Sequence, residues 1–176
     1  AQDAPKPMSW KDVATWKSMP GGGYKLSPDG QWMAYVLTGI EADGELILQK
    51  TADPGNKKSF PIGNTNFASF EFSENSQWIA FKEYPKFAEK QANEKAKGKP
   101  LKEKLHLIKL GTEDKKPFEG VSGFAFNAEA ASHLLITLPK EGNGEAKGSD
   151  LLIYHLATGK SQNLGNVREH AANKAG

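Results

Sequence analysis

A short stretch of this chain, Tyr24-Lys25-Leu26-Ser27-Pro28-Asp29-Gly30-Gln31-Trp32-Met33-Ala34-Tyr35, comes back as Phe70-Glu71-Phe72-Ser73-Glu74-Asn75-Ser76-Gln77-Trp78-Ile79-Ala80-Phe81. A looser third copy, one residue longer in its turn, runs Phe124-Ala125-Phe126-Asn127-Ala128-Glu129-Ala130-Ala131-Ser132-His133-Leu134-Leu135-Ile136. Each copy begins with two large apolar residues separated by one other residue, the signature of a short strand with one packed face. Ser27-Pro28-Asp29-Gly30 then reads as a turn. Pro28 presets its backbone angle, Asp29 can bond its own backbone, and Gly30 tolerates a positive one. The run from Trp32 to Leu37 is apolar on both faces, as a strand held between two neighbouring sheets must be.

Copies spaced about 50 positions apart are the mark of a propeller or another stacked repeat. After each copy the pattern predicts two more strands. In the first repeat these are 45–50 and 58–62, joined by a turn at Ala52-Asp53-Pro54-Gly55-Asn56. In the second they are 105–110 and 116–118, and in the third 151–156 and 161–164. Four strands per repeat make one propeller blade. The expectation is an all-β chain of about three consecutive four-stranded antiparallel blades, an incomplete β-propeller, with a short N-terminal helix. The blades are assigned to 24–64, 67–118 and 122–164 within a repeat region 24–167.

Residues 1–23 form a loose tail and a capping helix. Ser9 can cap that helix, Asp12 suits its first turn, and Trp10, Val13, Ala14 and Lys17 share a face. Gly21-Gly22-Gly23 ends it, and the helix is expected to cover an exposed sheet edge. The triplet is no phosphate cradle, because a strand follows it rather than a helix. The second repeat carries a Lys-rich insertion, 85–104, with a short helix around Phe87, Gln91 and Glu94 to Ala96 that ends at Gly98. Its interleaved glutamates make it a solvated excursion from a blade rim rather than a polyanion site. A second excursion, Glu141 to Ser149, reads as a flexible loop, and 165–176 as a linker or the start of a further repeat.

Composition bounds the chemistry. The 176 residues carry a net charge of +2, so no global field recruits nucleic acid, and no stretch reaches the length of a membrane span. Cysteine is absent, which removes disulfides, thiolate metal sites and a cysteine nucleophile. Ser122, in Gly120-Val121-Ser122-Gly123, has the wrong spacing for a nucleophile elbow. His106, His133, His155 and His170 show no ligand spacing. His106 and His155 read as half-buried or rim residues on matching third strands, and His133 takes the place of Trp32 and Trp78 as a packing residue. Asp29 and Asn75 hold equivalent turn positions and read as structural. Glu71/Glu74 and Glu113/Asp114 lie in turns or on edges without a visible partner and read as solvated. No catalytic, cofactor-binding or metal-ligating residue is assigned, and no cofactor is expected.

Leu26-Ser27-Pro28-Asp29-Gly30-x-Trp32-x-Ala34-Tyr35 resembles the WD-like blades of the prolyl oligopeptidase family of serine peptidases. The same blade occurs in the periplasmic propeller of the Tol system. The order of elements is similar to that of exported members of the peptidase family. A tryptophan-bearing lead helix (Trp10, Trp16) precedes the blade, and a Lys-rich insertion follows Phe81-Lys82-Glu83-Tyr84-Pro85. The resemblance covers roughly 9–167 and is weakest in the third repeat, which lacks Pro-Asp-Gly and the tryptophan. It implies an N-terminal propeller over a C-terminal α/β-hydrolase domain with a Ser-Asp-His triad, the propeller admitting only short peptides. The implied partners are therefore the rest of the propeller, that hydrolase domain and a peptide substrate. The other reading is a non-enzymatic, Tol-like interaction scaffold in the periplasm. Ala1-Gln2-Asp3-Ala4-Pro5 resembles the tail left by signal-peptide removal, which points to a periplasmic or secreted protein; a trimmed chain start would look the same. Three blades leave two apolar end faces uncovered, so self-association is expected, or cover from the termini and the Trp10 helix.

Overall fold

The computed structural model describes residues 7–140 and 148–172. They form three four-stranded antiparallel sheets, each built from one continuous stretch of chain with its strands in sequence order. The first sheet holds β1 (Tyr24–Leu26), β2 (Trp32–Leu37), β3 (Gly44–Lys50) and β4 (Asp53–Gly63). The second holds β5 (Phe70–Phe72), β6 (Trp78–Glu83), β7 (Lys104–Lys109) and β8 (Lys115–Glu119). The third holds β9 (Gly123–Phe126), β10 (His133–Leu138), β11 (Ser149–His155) and β12 (Ser161–Val167). Two helices accompany them, α1 (Trp10–Ala14) and α2 (Phe87–Lys95).

The sheets are stacked, and the apolar residues lie in the two seams between them. The first seam joins Ala34, Val36, Leu46 and Leu48 of the first sheet to Phe70, Phe72, Ile79, Phe81 and Ile108 of the second. The second seam joins Ala80, Leu105 and Leu107 to Phe126, Leu134, Ile136 and Tyr154 of the third. Alternation along β6 explains how one strand serves both. Ile79 and Phe81 point one way and Ala80 the other, and all three are at most 1% exposed. Burying a side chain of Ile or Phe size contributes about 1.5–3 kcal/mol, so these seams dominate what holds the sheets together.

The turn between the first two strands is built the same way in each sheet. Trp32 N–H donates to Ser27 Oγ (3.0 Å) and Gln31 N–H to Asp29 Oδ1 (3.0 Å). Trp78 N–H donates to Ser73 Oγ (3.0 Å) and Gln77 N–H to Asn75 Oδ1 (3.2 Å). In the third sheet Asn127 supplies the acceptor itself, its Oδ1 taking His133 N–H at 2.6 Å. The left-handed residue of the turn is Gly30 in the first copy (φ 69°), but Ser76 (φ 54°) in the second and Ala131 (φ 41°) in the third. These turns also tie sheet to sheet. Asp29 N–H donates to Ser76 Oγ (3.0 Å), and Asn75 Nδ2 to the Ala131 carbonyl (3.3 Å).

Three local expectations are corrected. The turn placed at 52–56 is tighter, with Lys50 pairing Asp53, and Asp53 to Asn56 belong to β4. Because β4 is the outermost strand of its sheet, Pro54 costs no ladder bond there. The lead helix stops at its C-cap Thr15, well before the glycine triplet. It also leaves Trp10 (69%), Val13 (47%) and Trp16 (58%) exposed, so it covers no sheet face. The extended segment after it does the edge work instead, through a bridge between Ser18 and Thr38 and a bond from Val36 N–H to the Gly23 carbonyl. Finally, Gly165 to Val167, read as the start of a linker, still belong to β12. The excursion expected at 141–149 lies, up to residue 147, outside the described residues.

Tyr24 and Leu26 hold in the first sheet the positions of Phe70 and Phe72 in the second, yet they are 64% and 57% exposed while Phe70 and Phe72 are 4% and 6%. Phe70→Ala is therefore expected to cost about 3–5 kcal/mol in urea unfolding. Tyr24→Ala, made at the matching place in the repeat, should stay within about 0.5 kcal/mol.

Candidate functional site

In a four-stranded meander the 1–2 and 3–4 turns emerge at one end, and the 2–3 connections and the links between sheets at the other. Here the first end carries turns of two to six residues. The second carries the longest described connection, 84–103, together with 38–43 between the second and third strands of the first sheet and 64–69 and 120–122 between sheets. Short polar turns give a flat, featureless end, whereas long connections bring side chains together from separate sheets.

The Lys-rich insertion is fastened to this end. Phe87 N–H, at the start of α2, donates to Asp43 Oδ1 (2.8 Å), and Lys90 Nζ bonds the Asn64 carbonyl. Asn64 is itself buried, its Nδ2 donating toward the carbonyls of Gly39, Ile40 and Ala42. Gly63 is needed beside it: its φ is 66°, and a Cβ there would sit 1.8 Å from the Tyr84 carbonyl oxygen. The insertion is thus anchored at its root to the first sheet, while α2 buries none of its own residues. The lead segment reaches the same end, where Glu41 N–H bonds the Ala14 carbonyl (3.1 Å). Ile40, Phe67 and Leu101 lie exposed there, together with Trp10 and Trp16.

Between the first strands of the three sheets a cavity of about 330 Å³ opens at this end, lined among others by Lys25, Ser69, Glu71, Lys82, Ser122 and Phe124. Lys82 Nζ is fixed, donating to Glu103 Oε2 (2.7 Å) and to the Ser122 carbonyl (2.6 Å), so it ties the second sheet to the third. Partial desolvation pushes the Glu71 carboxyl above its ordinary value, and Lys25 draws it back. Burial pushes the phenol of Tyr84, which is not part of that lining, up to about 12, so it stays protonated at neutral pH. The groove offers both signs of charge and hydroxyl groups. These groups can hold polar or charged ends of an extended ligand.

The residues weighed from sequence are dispersed. Ser122 Oγ donates to the Thr137 carbonyl (3.1 Å), which uses the hydroxyl for backbone pairing. His170 lies exposed beyond β12. His133 and His155 are cross-strand partners whose rings meet edge to face at 4.7 Å. They stand where Lys50 covers Trp32 and Lys109 covers Trp78 in the other two sheets. Glu113, read as solvated, forms an ion pair with Lys58 across the first seam. His106 departs most from expectation: it is 4% exposed, not a rim residue, because its side of β7 faces the first seam, where its ring lies 5.3 Å from that of Phe81. Its Nε2 meets Glu83. Among the described residues, no three His, Cys, Asp or Glu side chains are grouped as a metal ion would require.

No protein-family model and no curated protein matches the chain. Among solved structures it is similar to the β-propeller domain of the trilobed protease of Pyrococcus furiosus, described as having an open velcro topology. The TM-score is 0.55 and the identity 17%, over 85% of this chain and 43% of that one. This chain is an arc of a β-propeller. Its three blades also align with an acylaminoacyl peptidase solved with a chloromethyl ketone, at a TM-score of 0.51 and 13% identity, over 84% of the arc and 25% of the peptidase. The arc spans less than half the length of either structure. In propeller terms β1, β5 and β9 are the first strands of their blades, and the groove is where those strands converge.

Burial pushes the His106 imidazole below its ordinary value, Glu83 opposes that shift, and Lys115 and Lys104 reinforce it. A histidine harder to protonate folded than unfolded stabilises fully above the unfolded value of about 6.5, and that stability is lost as pH falls through the folded value. Urea midpoints should therefore drop between pH 7 and pH 5, and His106→Gln should flatten that part of the profile.

Proposed function

We propose that the arc is the non-catalytic propeller part of an exported, prolyl-oligopeptidase-like serine peptidase. Its loop end faces a C-terminal α/β-hydrolase domain, and its inner groove positions or gates short peptides. One observation carries this reading. The 84–103 insertion, the exposed apolar residues Trp16, Ile40, Phe67 and Leu101, and the mixed-charge groove gather at one end of the arc, whereas the other end is closed by turns of two to six residues. An end with apolar side chains around a polar hollow suits a domain lid over a peptide path. The likeness to a protease's propeller domain supports the fold on which this rests, and the Leu26-Ser27-Pro28-Asp29-Gly30 stretch supports the family. Export follows the exported peptidases whose element order the sequence resembles. No helix among the described residues is long and apolar enough to cross a membrane.

The test joins sequence and chemistry. The natural polypeptide is expected to carry a Gly-x-Ser-x-Gly elbow after residue 176, followed by Asp and His, and to be labelled by a fluorophosphonate at that serine. The 176 residues alone should take no label. A natural polypeptide with neither elbow nor label would leave the arc as a non-enzymatic interaction propeller and overturn the reading.

A further inference from the structure

At the same position of the repeat, in the middle of its first strand, the three blades carry Lys25, Glu71 and Ala125: a cation, an anion and a methyl group. Alternation sends Phe70 and Phe72 into the first seam and Glu71 the other way, into the wall of the groove that Lys25 also lines. Glu71 belongs to the middle blade, which has a described neighbour on either side. The groove's charges differ in what they already hold. Lys82 is bonded to Glu103 and to the Ser122 carbonyl. Lys25 rests over the Phe70 ring at 5.6 Å and, like Glu71, makes no side-chain hydrogen bond or ion pair among the described residues. The two act on each other through space, since Lys25 opposes the effect of desolvation on the Glu71 carboxyl, without forming an ion pair.

We infer that the groove selects short peptides with both termini free, the α-ammonium group held by Glu71 and the α-carboxylate by Lys25. A charge at a partly desolvated wall is unfavourable until a counter-charge meets it. A ligand of one sign would satisfy one wall and leave the other; a ligand carrying both signs satisfies both, through charge-assisted hydrogen bonds. Such a ligand also binds in one direction, because reversing it sets like charges together. Ala68, Phe70 and Phe124 add apolar wall for small side chains. At about 330 Å³ the cavity lies near the lower limit of ligand pockets, roughly 300–1,000 Å³, which suits a di- or tripeptide rather than a long chain. The inference rests on the reading of the groove as a peptide path and adds what is recognised there, the two chain termini.

Titration of the 176-residue chain with trialanine, followed by amide NMR shifts, tests it. Shifts are expected at Lys25, at Ser69 to Glu71 and at Ser122 to Phe124. N-acetyl-trialanine and trialanine amide should each bind about tenfold more weakly, about 1.4 kcal/mol. Glu71→Gln should weaken trialanine by a similar factor and erase the further loss on acetylation, and Lys25→Gln should do the same for the amide. Both side chains are exposed, so the variants are expected to fold, and the capped peptides probe the wild-type chain without any substitution. Two results would overturn the inference: no shift at millimolar trialanine, or capped peptides that bind as well as the free one. Failure here is separable from failure of the peptidase reading. Terminus-dependent binding in a natural polypeptide without the serine elbow keeps the inference and removes the peptidase, and an elbow without such binding does the reverse.

Discussion

The structure depends on the second blade being dry on both faces. Ile79 and Phe81 go to one seam, Ala80, Leu105 and Leu107 to the other, and neither sheet beside it has a core of its own. A four-stranded sheet alone cannot bury enough surface to offset the entropy of ordering its chain, so each blade is stable only through its neighbours. Blade two has two neighbours and is the most thoroughly buried part of the molecule. Blades one and three have one each. The exposure of Tyr24 and Leu26, set against the burial of Phe70 and Phe72, is that rule seen at a single repeated position.

Polar ties then fix how the blades sit on one another. Apolar seams are non-directional and would tolerate sliding. The bonds from Asp29 to Ser76 and from Asn75 to Ala131 pin the turn ends together, and Lys82 with the Ser122 carbonyl pins the loop ends of blades two and three. Ser76 and Ala131 pay for this arrangement with left-handed backbone at non-glycine residues, a strain the first copy avoids through Gly30. One end of the arc is consequently tied turn to turn. The other is free to carry long connections, and there the insertion, the lead segment and the groove meet.

Much of the fold was legible because it is written in local patterns. Alternation gives strands, Ser-Pro-Asp-Gly gives the turn, and recurrence gives the blade. What was not legible depended on which face of a strand meets which neighbour. His106 sits on β7 exactly as a rim histidine would in the sequence, and only the seam shows that it is buried against Phe81 and paired with Glu83. Glu113 has no local partner, and its lysine is 55 residues away. The Trp10 helix has a capping box and an apolar stripe, which predict a helix but not that its stripe is left in water.

The groove illustrates the same division. Lys25, Glu71 and Lys82 are ordinary surface residues when read along the chain; they converge because three first strands approach one another where the loops emerge. By itself the sequence determined the strands, their turns, their grouping into blades and the need of each blade for a neighbour, since these follow from side-chain periodicity and turn chemistry within a few residues. Only the tertiary structure decided which residues became seam, groove or open end face. Those assignments depend on the stacking of one sheet against the next, and no stretch of chain contains that on its own.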